Sequence, residues 1–554
     1  MSAPSATLAS PFASQAPAPR AVLALLALLV LNALLSMTNW WPTPLVKLDA
    51  RLAPEFAVFW VLLLAIAWRG SRRQPSAPLL KPRTLSALAG VYLLLVLGRY
   101  LDTTAPALFA RDLTLYWDAP QIVRVVYVTL RSYPLWLAAL VVGSVVALLW
   151  GLYRLVHWAL SRAALDAAPW AVRSPAALFL TALALAASLA NFAGVQATWG
   201  FVSKPAAPTY LHQAWLLWTS FNERDLHQNL PTSPSFDGDL GLLRGSDVNL
   251  VFLESYGQVA FGIPEIDQAL RQPRAELQAQ VRAAGMEVVS GFMTSTTYGG
   301  RSELAHVSFL SGLDTSTPWV HDLLLTTDRP LLTTWFRDRG FDVHALYPAL
   351  SWDWPERSFY RFGSFFDARD LDYRGPKIGY WSVPDQVTLA RYQQQQPITA
   401  DSPPRVLFFP SITSHLPFHP VPPHLADATL ALQDNPFSAA QLAEMAQQEE
   451  QWFNMRPAYT EMMRYNHLWV GGWIAQPRVR DAVFIVMGDH QPAANITGPG
   501  ASWDVPVHII SSKPQLLAHF KAHGFVDGLT PSPKTVGSLF DLTPLLTSTG
   551  QPPL

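Results

Sequence analysis

Long uncharged stretches in the first two hundred residues constrain this chain more than any other feature. A helix needs about 20 predominantly apolar residues to cross a bilayer. Ala21–Val46, which follows Arg20, carries no charge over its whole length, and neither do Pro134–Tyr153 and Ser174–Gly200. Phe56–Trp68 and Thr84–Leu97 are shorter and need Glu55, Arg69 or Arg99 to reach toward headgroups. The alternative for these two is a buried hairpin. Either way an odd number of spans remains, and the expectation is about five.

Composition agrees. Only 14% of the 554 residues are charged, against about 25% in soluble proteins, and the mean hydropathy is +0.17. A net charge of -1 argues against a nucleic-acid partner, which would call for a basic stripe. Cysteine is absent, so disulfides, thiolate zinc sites and cysteine nucleophiles are excluded together.

Basic residues orient the bundle. Arg69, Arg72, Arg73, Lys81 and Arg83 share one loop, and Arg154, Arg162 and Arg173 outnumber Asp166 in another. Both loops fall on the side of the N-terminus, which would be cytoplasmic. The expected plan is a disordered tail over 1–19, a transmembrane bundle over 20–200, a connector over 201–245, and an extracytoplasmic domain over 246–554. An interfacial helix is expected near Trp117–Leu130.

From Asp247 the pattern changes. Val248–Leu253, Val406–Phe409, Val483–Met487 and Val505–Ile510 read as buried strands, with Phe341–Leu346 weaker. The last of the four leads toward a helix near Lys513–His523. Amphipathic stretches such as Tyr459–Ala475 lie between. Strands alternating with helices predict an α/β/α domain with a mostly parallel sheet. The stretch Phe418–Met455 reads as an excursion from it.

In such sheets ligands collect at the carboxyl ends of strands. Three runs end in polar residues: Glu254-Ser255, Gly488-Asp489-His490, and Pro410–Ser414 followed by His415. Two carboxylates and an imidazole form a hard oxygen and nitrogen donor set, suited to Mn²⁺, Mg²⁺ or Zn²⁺. Hydroxyl nucleophile candidates cluster nearby: Thr294, Ser295, Thr296, Thr297 and Ser302. Ser302 follows Gly299-Gly300-Arg301 and opens an expected helix. It is either a metal-activated alcohol or simply the helix N-cap.

Taken in order, the bundle, the strand ending in Glu254, Gly299–Glu303, His415–Phe418 and Val486–His490 resemble the lipoteichoic acid synthase and phosphoglycerol transferase group. These are membrane members of the sulfatase and alkaline phosphatase superfamily. The resemblance implies a divalent metal, Mn²⁺ foremost, on Glu254, Ser302, Asp489 and His490, with Ser302 as nucleophile. His415 would touch the phosphoryl or head group. The segment Tyr347–Phe366, with Trp352, Trp354, Glu356 and Arg357, would shape the donor pocket. The implied reaction moves phosphoglycerol from an anionic phospholipid, phosphatidylglycerol, to a glycan or polymer acceptor. Phosphoethanolamine transfer on the same site and a silent lipid- or glycan-binding relative are the alternatives. Many members carry Thr where this chain has Ser302. The stretch Ser302–His306 lacks the Pro and Arg that sulfatases need for formylglycine, which argues against sulfate-ester hydrolysis.

Overall fold

The computed structural model describes residues 18–549, apart from 74–79, 110, 117, 121, 123–133, 199, 222–229, 352–353, 355, 377, 379–382, 450 and 452–453. Nearly all of the expected tail, most of the expected helix at 117–130, and Trp352 lie outside the described residues. The chain forms two compact units. One comprises 1–40, 44–105 and 113–217, the other 41–43, 106–112 and 218–554.

The first unit is built of helices α1 (Ala18–Ser36), α2 (Pro54–Arg73), α4 (Leu135–Arg162) and α5 (Pro175–Phe192) and most of α3 (Pro82–Phe109) and α6 (Ala207–Phe221). Among the described residues three helical stretches are long and apolar enough to cross a membrane: Pro82–Leu108, Leu135–Ala171 and Pro175–Phe192. The expectation was about five. The first apolar run does not stay helical to Val46. It leaves α1 at Ser36 and turns back in a short hairpin that pairs Thr38–Asn39 with Val46–Lys47, where Pro42 and Pro44 have no N–H to continue a helix. The second run forms α2, whose last turns hold Arg69, Arg72 and Arg73. The third, short as an apolar run, continues as helix past Arg99 and Asp102 because those two pair with each other at 3.6 Å.

The second unit is a sheet covered on both faces. Its strands are β1 (Asp247–Leu253), β2 (Glu287–Thr294), β3 (Asp342–Tyr347), β4 (Ser364–Asp367), β5 (Arg405–Pro410), β6 (Ala482–Gly488), β7 (Asp504–Ser511), β8 (Val526–Asp527) and β9 (Thr535–Ser538). Their order is β8-β2-β7-β6-β1-β5-β3-β4, with β9 also on β2. The run β6-β1-β5-β3-β4 is parallel throughout. β7 runs antiparallel to both β6 and β2, which returns β2 to the direction of β1. The fold is therefore the α/β/α arrangement expected from the apolar runs.

Alternation along each strand divides the core in two. On β1, Val251 and Leu253 join one cluster, and Val248, Leu250 and Phe252 the other. The first layer is covered by α7 (Pro264–Ala283), α9 (Asp385–Gln395) and α10 (Arg456–Ile474); the second by α8 (Ser302–Ser311) and α11 (Pro514–Ala522). Each fully buried Val, Leu or Phe contributes roughly 1.5–3 kcal/mol, so a strand buried on both faces is held firmly in register. That register places the ends of β1, β2, β5 and β6 along one edge.

Candidate active site

Glu254 follows β1, and Asp489 and His490 follow β6, its parallel neighbour, with Leu253 opposite Gly488. The two turns interlock. Asp489 Oδ1 accepts from the amides of Ser255 at 2.8 Å and His490 at 2.7 Å. A Cβ on Gly488 would come within 1.8 Å of the Tyr256 carbonyl oxygen, so the crossing tolerates only glycine there. Ser255 sits at φ 61, and its hydroxyl donates to Glu254 Oε1 at 3.0 Å.

Glu254, Asp489 and His490 are all buried, and their ligand atoms lie within 4.8 Å of one another. His490 Nε2 is 3.4 Å from Glu254 Oε1 and 3.5 Å from Asp489 Oδ2. Its Nδ1–H donates to the Gln491 carbonyl at 2.7 Å, which leaves Nε2 with the free lone pair. Burial and then the Glu254 charge push the Asp489 carboxyl up to about 6. Burial alone would lower the His490 imidazole, but the Asp489 and Glu254 carboxylates raise it. Two crowded carboxylates and an imidazole with an outward lone pair suit a divalent cation, which would neutralise the cluster.

Ser302 reaches this cluster from the third element, the turn after β2. Gly299 at φ 64, Gly300 at φ 137 and Arg301 at φ 66 reverse the chain, and Gly300 lies where a side chain would be strained. Thr297 Oγ1 closes the turn on the Gly300 carbonyl at 2.6 Å. The turn is tied down where the Gly299 amide donates to the Gln491 carbonyl at 3.1 Å, the same oxygen that orients His490. Arg301, not Ser302, occupies the N-cap of α8, and no side chain caps it. The Ser302 hydroxyl instead donates to Glu254 Oε2 at 3.1 Å and lies 3.3 Å from His490 Nε2. Three of the other four hydroxyl candidates donate elsewhere, Thr294 to Asp504 at 2.7 Å, Ser295 to the Asp489 carbonyl and Thr297 within its own turn, and buried Thr296 accepts from the Ser308 hydroxyl at 3.2 Å.

His415 lies on the loop after β5, half-buried. Burial lowers its pKa, and the charges of His490 and Asp489 reach it. The loop is anchored on both sides of the site. Ser411 Oγ accepts from the Glu254 amide at 3.1 Å, and Ser414 Oγ donates to the Glu254 carbonyl at 2.7 Å. Trp354 and Arg357 fall in a different setting. Trp354 packs on Tyr347 and Tyr360 with ring centroids at 5.2 and 5.0 Å. The Arg357 guanidinium lies 5.4 Å over the Phe365 ring. Both belong to an aromatic layer beside β3 and β4.

Several supporting residues carried no signal in the sequence. Asp385 opens α9 far along the chain, fully buried, and accepts from the amides of Ile412 and Thr413, both at 2.9 Å. Burial pushes its carboxyl up to about 6. Asn466 on α10 donates to Ser414 at 2.9 Å. His306, one turn after Ser302, is clasped by Phe252 at 4.7 Å and Phe408 at 5.6 Å, and burial lowers it to about 4. Gln491 alone was within reach of the sequence, being next to Asp489-His490.

No curated protein matches the chain significantly. Among solved structures, the chain is similar to the lipoteichoic acid synthase LtaP from Listeria monocytogenes, at 14% identity and TM-score 0.32, over 52% of this chain and 71% of that one. It is similar to the Streptococcus pyogenes phosphoglycerol transferase GacH in complex with sn-glycerol-1-phosphate, at 11% identity and TM-score 0.34, over 60% and 91%. A third similarity is to the C-terminal periplasmic domain of EcEptC from Escherichia coli, at 15% identity and TM-score 0.33, over 52% and 79%. The family model named Sulfatase matches residues 268–516, a span that contains Ser302, His415, Asp489 and His490. Over those residues the chain is similar to the Sulfatase family.

Proposed function

We propose that the protein is a membrane-bound, metal-dependent phosphotransferase that moves phosphoglycerol from phosphatidylglycerol to a hydroxyl of an envelope glycan or polymer. The observation that carries this reading is the approach of one serine hydroxyl to a buried carboxylate and imidazole, at 3.1 and 3.3 Å, inside a cluster fit for a cation.

Glu254, Asp489, His490 and Ser302 would hold the cation, with Mn²⁺ the first choice and Mg²⁺ or Zn²⁺ the alternatives for this hard donor set. Such an ion supplies a lowered pKa at the serine hydroxyl and charge neutralisation on phosphoryl oxygens. Ser302 Oγ gives up its proton and attacks phosphorus, the P–O bond to diacylglycerol breaks, diacylglycerol leaves as the alcohol with a proton, and phosphoglycerol remains on Ser302. An acceptor hydroxyl then displaces it. His415 contacts the phosphoryl or head group, and Trp354 and Arg357 border the donor pocket. Spanning helices in the same chain support a lipid donor, since they keep the domain at the bilayer where that donor is concentrated. The catalytic domain is read as extracytoplasmic.

The deciding experiment incubates purified protein and Mn²⁺ with labelled phosphatidylglycerol or phosphatidylethanolamine and measures diacylglycerol. Release from phosphatidylglycerol is expected. Release from phosphatidylethanolamine alone would make the enzyme a phosphoethanolamine transferase. Release from neither would leave the phospholipid reading without support.

A further inference from the structure

Helix α6 is built inside out for a helix in water. Three of its polar side chains bond back into the protein, while His212 is exposed and stacks on Trp215 at 5.9 Å. Gln213, buried, accepts from the Leu115 amide at 2.9 Å and donates to the Leu113 carbonyl at 2.6 Å. Thr209 donates to Asp102 at 3.0 Å, and the Tyr210 hydroxyl bonds the Leu94 carbonyl. Its apolar side chains point out: Leu211 is 71% exposed, Trp215 57% and Trp218 72%. Spacings of four and three residues put these on one face. The N-terminus is fixed, because the Glu55 carboxylate accepts from the amides of Ala206 at 2.6 Å and Ala207 at 2.9 Å.

We propose that α6 lies in the headgroup region of the bilayer, with Leu211, Trp215 and Trp218 turned toward lipid. Fifteen residues make a helix of roughly 22 Å, short of the hydrocarbon core of about 30 Å, so α6 lies along the membrane and does not cross it. Two tryptophans on the outward face suit that depth, where an indole has an apolar body in lipid and an N–H in the wet layer. Lipid is the occupant because the surface is continuous with one that already faces it. α6 packs on α3 through Leu94 and Asp102, and Leu94 and Leu101 of that spanning helix are themselves outward. The polar groups at the junction mark the same level. Lys204, mostly exposed, lies 3.5 Å from Asp102, and Asp102 lies 3.6 Å from the buried Arg99.

The absence of cysteine from the chain makes the test direct. Leu211→Cys, Trp215→Cys and, as an inward control, Thr209→Cys are each spin-labelled in the full-length protein in phosphatidylglycerol-containing liposomes. Collisions with oxygen and with a water-soluble nickel chelate are then compared. At 211 and 215 oxygen should dominate, at a depth of about 5–10 Å below the phosphates, while 209 is less accessible to both reagents than either. Dominant access to the nickel chelate at 211 and 215 would put the helix in water and overturn the proposal. A depth at the bilayer midplane would make α6 a further span. Protection of 211 and 215 from both reagents would mean a protein partner or second copy covers them. The last two outcomes overturn it as well.

Discussion

Ser302 is where the residue-scale argument is sharpest, because its two readings predict opposite results. As the attacking alcohol it is indispensable: Ser302→Ala should lower turnover at least about a thousandfold, the order found when a catalytic nucleophile is removed, while Ser302→Thr should retain part of it. The hydroxyl does not cap α8, so Ser302→Ala should change unfolding free energy by no more than about 0.5 kcal/mol. Steady-state kinetics beside denaturant titration check both halves. A variant that loses about 1 kcal/mol and keeps its activity would make the residue a structural cap. The ligand cluster makes a second prediction. Burial, and then the Glu254 charge, disfavours the Asp489 carboxylate. Chelation should therefore abolish activity and lower the melting temperature, and Mn²⁺ at a hundred times its dissociation constant should restore about 2.7 kcal/mol. Asp489→Ala should lose that metal-dependent stabilisation. Full activity in Asp489→Ala with metal still bound would show that the ligands are other residues.

At the scale of elements, the loop after β5 is held by one buried carboxyl at the start of α9. Asp385 titrates near 6 in the folded chain and about 3.9 unfolded. Its folded pKa is raised, so the folded state binds the proton more tightly, and stability is gained as pH falls through 6 toward 4. Two units correspond to on the order of 3 kcal/mol. Asp385→Asn removes the titration and keeps an acceptor for one of the two amides. Chemical denaturation from pH 4 to 8 should show wild type gaining stability relative to Asp385→Asn as the pH falls, and parallel curves would contradict the assignment. Elements also show where sequence reading succeeds. β5 and β6 stand out as unbroken apolar runs, and β1 and β7 as apolar runs broken only at Asn249 and His508. β2 does not, since Ser290 and Gly291 interrupt it. In the fold the Ser290 hydroxyl is 2.6 Å from His508 Nδ1 and 2.6 Å from the Gly528 carbonyl. At Gly291 a Cβ would come within 3.0 Å of Val536. Those partners are over two hundred residues away, so nothing local announces the strand.

For the whole molecule, charge in the first two hundred residues predicts which side of the membrane carries the sheet domain. The basic loop around Arg69–Arg83 predicts that Pro75→Cys is cytoplasmic and Ser512→Cys, an exposed position, is outside. An impermeant maleimide applied to intact spheroplasts should label 512 at once and 75 only after lysis. The reverse pattern would put the domain in the cytoplasm and remove the envelope acceptor. What the sequence determined unaided were properties that depend on neighbours along the chain: apolar runs too long for water, strands bounded by polar ends, a glycine turn before Ser302. It did not determine how many of those runs form spanning helices, because prolines at 42 and 44 and the Arg99–Asp102 pair redraw their ends. Nor did it decide that Trp354 and Arg357 would join an aromatic layer, or that Asp385, His306 and Asn466 would support the site. Those outcomes rest on strand register and helix packing, which bring together residues hundreds of positions apart. The 3.1 Å between Ser302 and Glu254 arises only once β2, β7, β6 and β1 assemble in that order, with β1, β2 and β6 pointing the same way.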